Sequence, residues 1–320
     1  MIFRFARILL LLWMVPALAC SLPSAPESDV YKAVEGTLEA LRTQTAQAGQ
    51  AAPEFLGTVT PNAEATPALP ALTGMPPSEL AGETFRYYTR PGDTLAALAR
   101  RFNVEANSIL DPLQYPPLSM LPGGLELTIP NTLGELEPPD QLLPDSEIVY
   151  GPSASGFSVE EYVRRAGGFL STYTEEVDGE LLTGAQVVER VARDTSTNPR
   201  ILLAFLEYRS GWVKGSPAGL NQTAFPIGFQ AAGYSGLLKE LTLTSRQLTI
   251  GYYGWRSGKI TGVEFANGTR LRANPLINPG TMAVLFLFSR LYDPASWRAE
   301  LYEPGRFITF YQGMFGDPWA

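Results

Sequence analysis

Between Phe85 and Pro130 the apolar positions change their period twice. An aromatic run, Phe85 to Tyr88, predicts a strand that enters the turn Pro91-Gly92-Asp93-Thr94. Leu95, Leu98, Ala99 and Phe102 then recur at helical spacing. Asp93 or Thr94 is placed to cap that helix by accepting its free backbone N–H groups. Val104 opens a second helical segment, whose Ile109 and Leu110 are expected to pack under the sheet. After a Pro-rich loop, Pro122-Gly123-Gly124 signals a turn, and Leu125, Leu127 and Ile129 alternate as a half-buried strand does. The pattern predicts a small α+β unit of βααβ form over residues 84–131. At that size the core needs all of these positions.

Residues 158–320 read as one mainly α-helical domain of ordinary size. Helices are predicted at 158–173, 184–195, 199–210, 235–250, 279–291 and 304–314. Ser158 with Glu161 and Thr183 with Gln186 have capping-box form. Asn198-Pro199 and Asn278-Pro279 place a capping residue before a proline at the first helical position. Val263-Glu264-Phe265 and Thr269-Arg270-Leu271 flank Asn267-Gly268 and predict a small hairpin. Two linkers complete the chain. Residues 20–83 comprise a short helix over 29–49 and a stalk rich in Ala, Pro and Thr; residues 132–157 are Pro-rich and acidic, with Glu135, Glu137, Asp140, Asp145 and Glu147. Both compositions predict disorder.

The stretch from Phe85 to Pro130 resembles a LysM module, a unit that binds N-acetylglucosamine-containing glycans such as peptidoglycan and chitin. The resemblance implies a sugar site between the loop after the first strand and the loop before the last. Here those loops hold Pro91, Gly92, Asp93 and Thr94 on one side, and Asp111, Pro112, Leu113, Tyr115 and Met120 on the other. Backbone amides would meet acetamido groups, and Leu113, Tyr115 and Met120 would supply apolar contact. A degenerate module serving only as a spacer is the alternative.

Residues 1–19 read as a signal peptide: Arg4 and Arg7 precede an apolar run too short to span a bilayer. Ala17-Leu18-Ala19-Cys20 resembles a bacterial lipobox, which implies an exported chain held at the membrane by a lipid on Cys20. Cys20 is the only cysteine, which excludes an intramolecular disulfide. The chain has no histidine and a formal charge of −8. Histidine-based triads and His or thiolate zinc sites are therefore excluded, nucleic acid is disfavoured as a partner, and no metal or cofactor is expected.

Residues 199–212, with Leu202-Leu203-Ala204 and Ser210-Gly211-Trp212, resemble the helix that carries the catalytic glutamate in soluble lytic transglycosylases of lysozyme-like fold. Gly228-Phe229-Gln230 and Asn278-Pro279-Gly280 resemble two further motifs of that family. Arg209 stands at the glutamate position. Protonating a glycosidic oxygen needs a carboxylic acid of raised pKa, and arginine stays protonated. Glu207 is the remaining candidate acid, but two helical residues separate it from Arg209 by ~200°. A structural role is its alternative. Glu175 and Glu176 lie outside any recognisable motif. Trp212 and Trp255 are candidates for stacking on sugar rings or for the core, and Arg256 is a candidate partner for muropeptide carboxylates. The expected function is a non-catalytic, membrane-anchored peptidoglycan binder; a lysozyme-like glycosidase using Glu207 is the alternative. The arrangement also resembles the amino-terminal part of LysM lipoproteins that continue into a lysostaphin-type zinc endopeptidase. No such catalytic domain is expected within a chain lacking histidine, so the chain acts without one or is a fragment.

Overall fold

The computed structural model describes residues 78–110 and 113–320. The signal segment, Cys20, the helix read over 29–49, the stalk up to residue 77, and Asp111 and Pro112 lie outside the described residues.

Three strands, β1 (Glu79–Ala81), β2 (Thr84–Tyr88) and β3 (Glu126–Pro130), form an antiparallel sheet in that order. The register sets Phe85 opposite Ile129 and Tyr87 opposite Leu127, so alternate positions put all four side chains on one buried face. Helix α1 (Leu95–Phe102) packs there. Phe102 meets Phe85 and Tyr87 edge-on, with ring centroids 5.1 and 5.4 Å away. Truncating a ring so placed costs ~3–5 kcal/mol. Thr94 is the N-cap of α1, its side chain accepting the Ala97 N–H. The second helical segment is only a 3-10 turn, Ala106–Ser108. Ile109 is buried as expected, but Leu110 is 67% exposed. Leu110 bridges to Thr128 in extended conformation, so its side chain takes the face opposite to that of Ile109.

The helical region contains α2 (Pro152–Ser155), α3 (Val159–Ala166), α4 (Gly184–Asp194), α5 (Pro199–Ser210), α6 (Leu220–Ala224), α7 (Leu237–Arg256), α8 (Pro279–Leu291), α9 (Pro294–Tyr302) and α10 (Phe307–Phe315). The caps read from sequence form: Ser158, Thr183, Asn198 and Asn278 each accept a first-turn N–H, and Thr183 with Gln186 completes a capping box. Helix α8 is apolar all round and is buried from Pro279 to Ser289, the mark of a central helix. Its closest neighbour is α7. A side chain at Gly251 would come within 2.9 Å of the Ala283 Cα, so the two backbones approach as only glycine permits. The Asn267-Gly268 hairpin forms as strands β6 (Gly262–Glu264) and β7 (Arg270–Arg272), numbered after the earlier hairpin β4 (Thr174–Val177) and β5 (Glu180–Thr183). Strand β4 holds Glu175 and Glu176, which lie outside any sequence motif, and Glu175 caps the start of α7 through the Leu238 N–H at 3.0 Å.

Residues 132–157 are not a disordered linker. Leu142, Leu143 and Ile148 are buried, and three of the acids hold the helical region. Glu137 takes both arms of the Arg298 guanidinium. The Asp145 carboxylate accepts from the Gly280 N–H at 2.8 Å and from the Asn278 amide, at the positive end of the α8 dipole. Glu147 is buried, accepts the Tyr311 hydroxyl and lies 3.5 Å from Arg200. Low hydropathy predicted disorder here because the partners of these charges lie more than 50 residues away in sequence.

The sheet module and the helical region share a core. Leu276, between β7 and α8, packs in the cluster of Phe85, Tyr87 and Phe102. Arg90 donates to the carbonyls of Leu276 and Ile277 at 2.8 and 2.6 Å. Arg272 donates to the carbonyls of Arg100 and Arg101 at the C-terminus of α1. Gly258, just beyond α7, sits against Ala97 with φ +68°.

Candidate functional site

The two loops that sequence marks as sugar-contacting lie side by side. The Leu121 N–H donates to the Asp93 carbonyl at 2.8 Å, and the Ala96 N–H to the Pro117 carbonyl at 2.9 Å. Thr89 fastens the base by pairing its backbone with Leu125 and Gly124. On the outer loop Leu113, Leu118 and Met120 are 63, 83 and 77% exposed, and Tyr115 is half-buried. Leu118 and Met120 project furthest into solvent, and Tyr115 packs against the module's core. Leu118 was missed in the sequence because no periodicity surrounds it.

The inner loop is occupied differently from expectation. Asp93 is buried, and its carboxylate pairs with Arg101 while accepting the Tyr87 hydroxyl at 2.7 Å and the Arg90 N–H at 2.8 Å. Burial alone would raise its pKa. The Arg101 charge and those hydrogen bonds outweigh it and hold the carboxyl below the usual range. Asp93 is thus a brace for the turn and not a sugar contact, and Thr94 spends its hydroxyl on the helix cap. The same burial, with the Asp93 charge, pushes the Tyr87 hydroxyl up to about 12. Pro91 is exposed, while Gly92 (φ +89°) lies against the Arg256 guanidinium.

Trp212 and Trp255 are core, which corrects the sugar-stacking reading. Both are fully buried. Trp212 packs between Phe169 and Tyr173 and donates to the Gln222 carbonyl. Trp255 donates to the Ile277 carbonyl and faces Arg101 across the shared core. Tyr253, two residues earlier on α7, is instead 50% exposed.

Around Arg209 two of the sequence motifs do meet. Its Nε donates to the Ile227 carbonyl at 2.8 Å, another arm donates to the Tyr292 hydroxyl, and the guanidinium stacks 4.9 Å from the Tyr292 ring. Gly228 (φ +98°) borders it, where a Cβ would stand 3.0 Å from Nη2. Beneath the segment, buried Glu240 accepts the N–H groups of Ile227, Gly228 and Phe229 on one oxygen. Its other oxygen is buried without a partner. Desolvation outweighs the hydrogen bonds and moves its pKa up. Glu207 accepts the Val213 and Lys214 N–H groups at 2.7 and 2.9 Å, closing the loop after α5. That is the structural role weighed against the catalytic one. Asn278-Pro279-Gly280 forms the cap and first turn of α8.

Among the described residues no group of three or more His, Cys, Asp or Glu side chains is placed to hold a metal, and no helix is long and apolar enough to cross a membrane. A cavity of about 280 Å³ lies away from both loops, and Arg200 and Tyr311 in its wall are both engaged with Glu147.

The chain belongs to the LasA N-terminal domain family. The family's model, LasA, N-terminal domain, matches residues 141–320, more than half of the chain. The match begins inside the acidic segment, in keeping with the way Asp145 and Glu147 are built into the helical region. No curated protein and no solved structure matches the chain.

Proposed function

We propose that this protein is an exported, non-catalytic binder of peptidoglycan or a related N-acetylglucosamine glycan, anchored at the membrane by a lipid on Cys20. The observation that carries the reading is the pairing of the 90–94 and 113–121 loops, which sets exposed Leu113, Leu118 and Met120 beside a backbone-rich turn. A shallow apolar surface edged by peptide groups suits the alternating methyl and amide of acetamido sugars. The LysM resemblance of residues 84–131 and the family of residues 141–320 both support a peptidoglycan-related role. The absence of catalysis rests on Arg209 at the acid position and on Glu207 being held by two backbone N–H groups.

The test is a pull-down of the purified full chain with peptidoglycan sacculi, beside a muropeptide-release assay on the same sample. Co-sedimentation without release is expected. Failure to sediment would refute binding; release of soluble muropeptides would refute the non-catalytic part and make Glu207 the first residue to replace.

A further inference from the structure

Arg256 ends α7 next to the turn that opens the small module. Its guanidinium rests on Gly92, where a Cβ would collide with it, and its Nη2 lies 3.4 Å from the Pro91 carbonyl. The φ of +89° favours glycine at 92, and a cation from the helical region thus lies at the edge of the two loops. The other cation of this turn, Arg90, is consumed by the Leu276 and Ile277 carbonyls. No ion pair among the described residues involves Arg256. Its half-exposed fork meets the Pro91 carbonyl and the Tyr252 side chain, over whose ring it lies at 5.8 Å. Tyr253 precedes it by three helical residues, hence on the same side of α7, with an exposed ring.

We infer that the glycan site is composite, and that Arg256, with Tyr253 beside it, selects glycans whose sugars carry a carboxylate over neutral ones. The inference rests on the glycan-binding reading above. A guanidinium fork without a protein carboxylate matches a carboxylate in two parallel hydrogen bonds, and an adjacent phenol ring suits a sugar face. Peptidoglycan carries carboxylates on alternate sugars, on the lactyl group where the stem peptide is absent and on the stem peptide where it is present, and chitin bears none. Of the module's own cations at this turn, Arg90 and Arg101 are both engaged, which leaves the place beside it to Arg256.

Titration calorimetry of the full chain at low salt, with chitotetraose and with a peptidoglycan tetrasaccharide, tests this. The acidic glycan is expected to bind ~10-fold or more tightly than the neutral one. Arg256→Gln should erase the preference by weakening the acidic glycan more than chitotetraose, and Arg256→Lys should restore part of it. Equal affinities in the wild type, or a preference that survives Arg256→Gln, would overturn the inference while leaving glycan binding intact. If neither glycan binds, the glycan-binding reading falls and this inference with it.

Discussion

The Arg101 guanidinium lies 5.5 Å from the Trp255 ring and 6.0 Å from that of Tyr87, with Asp93 as its counter-ion. One buried charge thus closes the turn of the sheet module and faces the longest helix of the neighbouring region. Removing one member of such a pair strands the other in a dry site. Asp93→Ala should cost ~3–5 kcal/mol, read as a shift in urea unfolding followed by tryptophan fluorescence. A change under ~1 kcal/mol would mean that the pair is screened.

The pH dependence of this pair has a definite sign. Asp93 titrates lower in the folded protein than in the unfolded chain, so its contribution is complete above the usual carboxylate range. It is lost as pH falls through the depressed folded value, below ~pH 4. The stability gap between wild type and Asp93→Asn should therefore shrink on acidification, and a gap constant from neutral pH to about pH 3 would contradict the assignment.

Glu240 runs the other way. It keeps its proton to higher pH when folded, so the folded state binds more protons in that window and loses stability as pH rises through it. Glu240→Gln removes that titration. Its melting temperature relative to wild type should rise between about pH 4 and about pH 7. A difference that does not vary with pH would show that the three backbone N–H groups suffice to keep the carboxylate ionised.

At Gly258 an alanine would hold φ +68° at a cost of ~1–2 kcal/mol, and its Cβ would stand 2.8 Å from the Ala97 carbonyl oxygen. Hydrogen exchange in Gly258→Ala should rise in Leu95–Phe102 and around Arg272, with Pro279–Leu291 unchanged. Uniform destabilisation would mean that the two regions unfold as one.

Replacing Leu118 and Met120 together by serine should leave unfolding within ~0.5 kcal/mol of wild type, since neither side chain is packed. Sacculus co-sedimentation should fall severalfold. Unchanged sedimentation would move the binding surface elsewhere.

Much of the fold was legible because short-range chemistry decided it. Asn198-Pro199 and Asn278-Pro279 mark helix starts that the structure reproduces, and Asn267-Gly268 marks its hairpin. The β4–β5 hairpin was missed because Glu175 and Glu176 alternate with nothing strongly apolar. Helix α9 was missed because its buried residues, Trp297 and Leu301, are too few to set a period. Around the candidate site, the adjacency of the two loops was legible but not the contacts their residues make. Nothing local says that Asp93 meets Arg101, or that Trp255 is covered by the sheet module while Tyr253 is not.

The segment 132–157 has a consequence for anyone dividing this chain. Cutting at residue 158, where composition invites it, would take Asp145 from the first turn of α8 and Glu147 from Tyr311 and Arg200. It would also open the Leu142 and Leu143 sites along Thr281. The segment behaves as a peptide ligand that the helical region carries permanently, tethered by its own backbone. Supplied in trans to a fragment beginning at 158, residues 132–157 should bind back and restore its melting temperature.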